Sequence, residues 1–96
     1  MSIKLAIKDY LNYREYLRNY YELKKSEGIG FSYTVFANLA GFKSRNFLRD
    51  VINGNKNLSN ESVFKVQNVL KLGKKDFKYF NSLVQYNQAT DEEEKA

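Results

Sequence analysis

Ser44, Arg45 and Asn46 stand in a row in this 96-residue chain, and Arg49 follows about one helical turn later. Their side chains suit the edges of nucleobases. A guanidinium reaches two guanine acceptors at once, a carboxamide does the same with adenine, and a serine hydroxyl serves either. A second set suits phosphate oxygens: Ser32 and Tyr33 with the backbone N–H groups beside them, Lys43, and the run Asn55, Lys56 and Asn57. Phosphate contacts set register and affinity, whereas base contacts set sequence choice. Exposed Arg, Lys and Asn on a helix are more often just a solvated face. What raises this group above that reading is the element on which it falls.

That element runs from Ser32 to Gly54 and reads as two short helices joined by a tight turn. Ser32 caps the first of them by accepting an otherwise orphan N–H, and Phe31 with Phe36 has the spacing of a hydrophobic staple. Val35, Phe36, Leu39 and Ala40 give an inward stripe at helical spacing. Gly41 ends the helix, since glycine most easily adopts the left-handed C-terminal conformation. Phe42 plugs the turn and Ser44 is expected to cap the next helix, over residues 44–53. In that helix Phe47, Leu48, Val51 and Ile52 face inward while Arg45, Asn46, Arg49 and Asp50 stay outside. A helix-turn-helix has this form, and its second helix fits the major groove of a DNA duplex.

The rest of the chain must hold that pair in place. Residues 1–12 read as an N-terminal arm or lead-in. Asn12 and Glu15 have capping-box spacing, so a first helix begins at Tyr13. Its face of Tyr13, Tyr16, Leu17, Tyr20, Tyr21 and Leu23 reads as core in preference to a base-stacking platform. After the Gly54–Leu58 loop, Ser59 caps a fourth helix, with Leu58 and Val63 as its staple and Gly73 as its end. A fifth helix spans about 75–88. It carries one apolar row of Phe77, Phe80 and Val84 and a second of Tyr79, Leu83 and Tyr86. A surface helix needs only one, so either the fifth helix is sandwiched inside the domain or its second row is a candidate dimer or partner surface. Residues 90–96 read as an acidic disordered tail. The expected fold is all-α, a compact five-helix bundle over residues 13–89.

Composition narrows the chemistry. The chain has no Cys and no His, so neither a thiolate or imidazole zinc site nor a nucleophile–imidazole pair can be assembled. No catalytic residue, metal site or cofactor is expected, and a hydrolytic enzyme is the poorest of the functional classes. The absence of Cys, of a signal peptide and of any run near the ~20 apolar residues of a membrane span points to a cytoplasmic protein. The formal charge is +5; Asp91 to Ala96 contributes −3, which leaves +8 on the remaining residues. A basic body suits a polyanionic partner.

With these residues in hand, the stretch from Ser32 to Phe80 resembles the Cro-type, xenobiotic-response-element-like helix-turn-helix family of repressors. The likeness lies in FA..AG of the second helix, S..FL..VI.G of the third, and the loop to a Ser-capped fourth. A nearer resemblance, over Tyr10 to Ala89, is to a little-characterised group of bacterial proteins regarded as transcriptional regulators. It rests on YREYLRNYYE, NFLRDVINGNKNLS and YFNSLVQYNQA. The resemblance implies a repressor-type bundle in which Ser44, Arg45, Asn46 and Arg49 face the bases. It also implies a longer C-terminal helical region in the full protein, or a homodimer, as the partner of the fifth helix. One departure stands out: the turn between Gly41 and Ser44 is one residue longer than in the Cro pattern, which would rotate the third helix.

The sequence thus favours a DNA-binding domain of a bacterial transcriptional regulator that reads double-stranded DNA. The alternative is an interaction module of the same fold that docks through its fifth and first helices.

Overall fold

The computed structural model describes the backbone of residues 5–28 and 30–95 and the side chains of residues 5–28 and 30–89. A single 3-10 turn at Ile7–Asp9 precedes five α-helices: α1 Tyr13–Ser26, α2 Tyr33–Ala40, α3 Phe47–Ile52, α4 Asn60–Leu70 and α5 Lys74–Lys95. No strand occurs among the described residues, and the fold is an all-α bundle.

Local chemistry explains most of the helix starts. Asn12 Oδ1 accepts from the backbone N–H of Arg14 at 2.8 Å and of Glu15 at 3.3 Å, which opens α1 at Tyr13. Ser32 Oγ accepts from Val35 N at 3.2 Å, and Phe31 lies 6.4 Å from Phe36, ring to ring, so the cap and staple of α2 both form. Ser59 Oγ accepts from Ser62 N at 3.1 Å to open α4, and Leu58 and Val63 beside it are both buried.

The core is one cluster. Tyr13, Tyr16, Leu17, Tyr20 and Tyr21 of α1 meet Phe36 and Ala40 of α2, Leu48, Val51 and Ile52 of α3, Val63 and Val66 of α4, and Phe80 and Val84 of α5. The tyrosine row of α1 is therefore packed core. Tyr13 and Tyr16 both lie within ring-contact range of Phe80, and Tyr20 sits edge-on to Phe31 and Phe36.

Four readings need correction. In α2 the inward stripe is Phe36, Ala37 and Ala40, whereas Val35 is 36% and Leu39 64% exposed. This eight-residue helix packs against α3 and α4. Turning its alanines inward allows the close approach that Val and Leu would prevent. The end of α4 is set at Lys71, which takes a left-handed φ of 55°, and not at Gly73.

The third concerns α5: of the two readings of its second apolar row, the structure has the sandwiched one, and as a partner surface the row is largely covered. Tyr79 is half-buried and donates its hydroxyl to the Tyr10 carbonyl at 2.6 Å, Leu83 is 8% exposed, and only Tyr86 stands out, at 69%. The covering element is the N-terminal 3-10 turn, which packs on α5 with Ile7 buried. Of the residues read as an arm or lead-in, Ile7 is thus buried in the core and Leu5 and Tyr10 pack against it, while Leu11 is exposed and Met1 to Lys4 lie outside the described residues.

Fourth, α5 continues through Lys95, past the expected end near Gln88, so Thr90–Lys95 has helical backbone in place of a disordered tail. Good helix formers such as the three consecutive glutamates simply extend a helix already nucleated by packing. Of that stretch's side chains nothing is described, and Ala96 lies outside.

Candidate nucleic-acid interface

The connection from α2 to α3 positions the proposed base-reading residues. Gly41, at φ 85°, ends α2, and both Gly41 N and Phe42 N donate to Ala37 O at 2.9 Å. Phe42 then stacks on Phe47 with ring centroids 3.9 Å apart and planes 20° from parallel. Between the two rings the chain forms a turn closed by Phe47 N to Ser44 O at 3.2 Å. The expected helix over 44–53 is accordingly shorter. Ser44 caps nothing with its side chain, Asn46 takes the cap position without a side-chain bond, and helical hydrogen bonding starts with Asp50 N to Asn46 O at 3.0 Å. Ser44 and Arg45 therefore lie on the turn and Asn46 at its junction with α3, whereas Arg49 alone of the four is inside the helix.

Exposure still separates the two sides of this unit. Leu48, Val51 and Ile52 are buried, while Ser44, Arg45 and Arg49 are exposed and Asn46 is half-buried. Arg49 Nε lies 3.9 Å from Asp50 Oδ1, a loose pairing of half-exposed groups that leaves the guanidinium most of its donors.

The phosphate set divides. Tyr33 stacks flat on Tyr21, centroids 4.0 Å apart with an interplanar angle of 4°, at the start of α2. Burial pushes its hydroxyl pKa up, helped by Tyr21 and Glu22, while the guanidinium groups of Arg49 and Arg18 pull it down. Two arginines from α3 and α1 thus act on one tyrosine at the start of α2. Arg18 was not among the residues singled out from sequence; an isolated exposed Arg on a tyrosine-rich helix carries no pattern of its own. Ser32 spends its hydroxyl on the cap of α2, which fixes that end of the helix.

Lys43 is exposed on the turn. Lys56 Nζ sits 5.4 Å from the Phe47 ring and Lys65 Nζ 5.5 Å from the Phe42 ring, so a cation flanks each member of the aromatic stack. Lys65, on α4, is a second contributor that sequence reading passed over; it also pairs with Glu61 at 3.5 Å.

The loop after α3 behaves differently from expectation. The backbone N–H groups of Asn55 and Lys56 donate to the Asp50 carbonyl at 2.8 and 3.2 Å, and Leu58 N donates to Gln88 Oε1 at 2.6 Å. Those amides are committed to the fold, so this loop offers an anion chiefly its exposed side chains. The Asn57 oxygen is also engaged, accepting from Arg14 Nη2 at 2.7 Å.

Arg14 is the main structural residue missed. It is buried, and its guanidinium also donates to the carbonyls of Val51 and Lys56, the latter at 2.9 Å. A single side chain from α1 thereby ties down the end of α3 and the loop beyond it. The motif on α5 has a similar task. Asn87 accepts from Tyr13 N at 2.8 Å and donates to Leu11 O at 3.1 Å, while Gln88 binds the Tyr13 hydroxyl and both backbone groups of Leu58. Among the described residues no buried side-chain nitrogen or oxygen lacks a partner, and no acidic cluster could hold a metal ion. No helix of the described residues is long and apolar enough to cross a membrane.

Fold and site together describe an all-α bundle with a cationic turn and short helix on one face. The chain matches no protein-family model, no curated protein and no solved structure.

Proposed function

We propose that this domain binds double-stranded DNA as the sequence-reading part of a cytoplasmic bacterial transcriptional regulator of the Cro-like helix-turn-helix type. The observation that carries the reading is the division of the segment from Ser44 to Ile52: Leu48, Val51 and Ile52 are buried in the bundle and Phe47 is half-buried against Phe42, while Arg45 and Arg49 project from it. Cations on neighbouring elements support it, with Lys56 on the loop and Lys65 on α4 flanking the Phe42–Phe47 stack, Lys43 exposed on the turn, and Arg18 on α1 acting with Arg49 on Tyr33. In this reading Arg45, Arg49 and Asn46 meet base edges, with Ser44 beside them. Tyr33, Lys43, Lys56 and Arg18 meet phosphates. Two copies bound as a homodimer would read half-sites ~34 Å apart.

The alternative, an interaction module docking through α5 and α1, is not favoured by a specific observation: the N-terminal segment packs over Tyr79 and Leu83, and the tyrosine row of α1 is packed core.

The test is selection of bound duplexes from a random-sequence pool at physiological salt. An enriched motif is the expected result, with paired half-sites if the protein acts as a dimer. Binding without enrichment that fades uniformly as salt rises would reduce the site to a basic surface.

A further inference from the structure

A cleft of about 390 Å³ opens between α1, α2 and the end of α4. Tyr20, Phe31, Leu39, Asn68, Val69 and Leu70 line it, and among the described residues its charged lining groups are Lys24 and Lys71. Its size falls within the ~300–1,000 Å³ of small-molecule sites. Three features set it apart from an ordinary surface groove.

First, Leu39 is 64% exposed on a helix that turned its alanines inward, so a large aliphatic group stands at the cleft with no core role. Second, Lys71 ends α4 at φ 55°, a left-handed conformation in which a side chain is strained and glycine is at ease. Third, no carboxylate is among the described lining residues, and the nearby Glu27 stands at the Lys24 end, where its charge adds to burial in raising the Tyr20 hydroxyl pKa. Lys24 is partly satisfied by Glu27 at 3.8 Å, whereas Lys71 makes no ion pair among the described residues.

We propose that this cleft binds a small organic anion: an apolar ring or chain bearing one carboxylate or sulfonate. The apolar body lies against Leu39, Phe31 and Val69, and the anion meets the Lys71 ammonium. The carbonyl end of α4 disfavours an anion close to the backbone, so the contact is made out along the lysine side chain. The inference does not rest on DNA binding and is tested without DNA.

Anilinonaphthalenesulfonate has the required chemistry and serves as the probe, titrated by fluorescence into the whole chain, with decanoate and its neutral counterpart decanol as competitors. Decanoate should displace the probe and decanol should do so several-fold less well. Leu39→Gln, at an exposed position, should weaken probe binding roughly tenfold through lost apolar contact. Lys71→Gly should weaken it roughly three- to fivefold, the effect of one exposed ion pair. Glycine suits the left-handed backbone at that position, so a loss in Lys71→Gly cannot be assigned to unfolding. Unchanged affinity in both variants, absence of probe binding, or equal displacement by decanol would overturn the proposal.

Discussion

The Arg14 guanidinium of α1 donates to the carbonyl of Val51 in α3, bridging residues 37 apart in sequence, and the same group reaches Lys56 O and Asn57 Oδ1. A buried cation is tolerable only when its donors are met, and here the acceptors are two carbonyls and one side-chain amide. The bridge locks the exit of α3, and with it the direction in which the rest of that short helix points.

Arg14→Met should therefore destabilise the fold by about 1–3 kcal/mol, because it removes three charge-assisted hydrogen bonds that tie α1 to the end of α3 and the loop beyond it. Arg14→Lys should recover only part of this, since one ammonium cannot reproduce the planar fork. Urea unfolding of the two variants checks it; equal stability of Arg14→Met and parent would mean that water replaces the guanidinium without loss.

Binding and stability should separate at the exposed arginines. Arg45→Ala should leave melting unchanged and weaken binding to the preferred duplex by ~1–3 kcal/mol, with less effect on unrelated sequences. Lys56→Ala should weaken all sequences alike and lower the salt slope by about 1. A uniform loss for Arg45→Ala would move that residue into the phosphate-contacting set.

The rotation of α2 can be read from two substitutions. Phe36→Ala, at a fully buried position, should cost about 3–5 kcal/mol. Leu39→Ser should stay within about 0.5 kcal/mol of the parent, as surface changes do. A large loss for Leu39→Ser would restore the stripe first read from the sequence.

Alkaline stability should depend on Tyr16. Burial, reinforced by Tyr20, Asp76 and Tyr10, pushes its pKa from 10.0 up to about 12. Between those values the unfolded chain has released the proton and the folded chain has kept it, so stability falls as pH rises through that window. Below pH 10 the contribution is fully present. Tyr16→Phe should show a shallower fall over pH 10–12 than the parent in melting experiments, with lysine titration common to both. Parallel curves would show that Tyr16 ionises in the folded state without penalty.

Much of this protein was decided by short-range chemistry and was therefore legible residue by residue. Asn12, Ser32 and Ser59 open their helices because a side-chain oxygen three residues or fewer from an orphan N–H needs no tertiary context. Gly41 ends α2 for an equally local reason. The same holds for the composition that leaves no thiolate or imidazole for chemistry, and for helical spacing that marked Tyr13, Phe36, Val51 and Phe80 as core.

What only the tertiary structure decided is how those parts face one another. The alanine side of α2 turns inward because two neighbouring helices need close approach, a demand invisible in an eight-residue window. The stack of Phe42 on Phe47 leaves Ser44, Arg45 and Asn46 on a turn and not in the helix. Leu83 is buried and Tyr79 half-buried because Ile7 and Tyr10, some 70 residues earlier, fold across α5. Arg14 and Gln88 take their roles from partners that lie 30 to 75 positions away in the sequence. Periodicity reports which residues share a helix face; it does not report what another part of the chain will bring to that face.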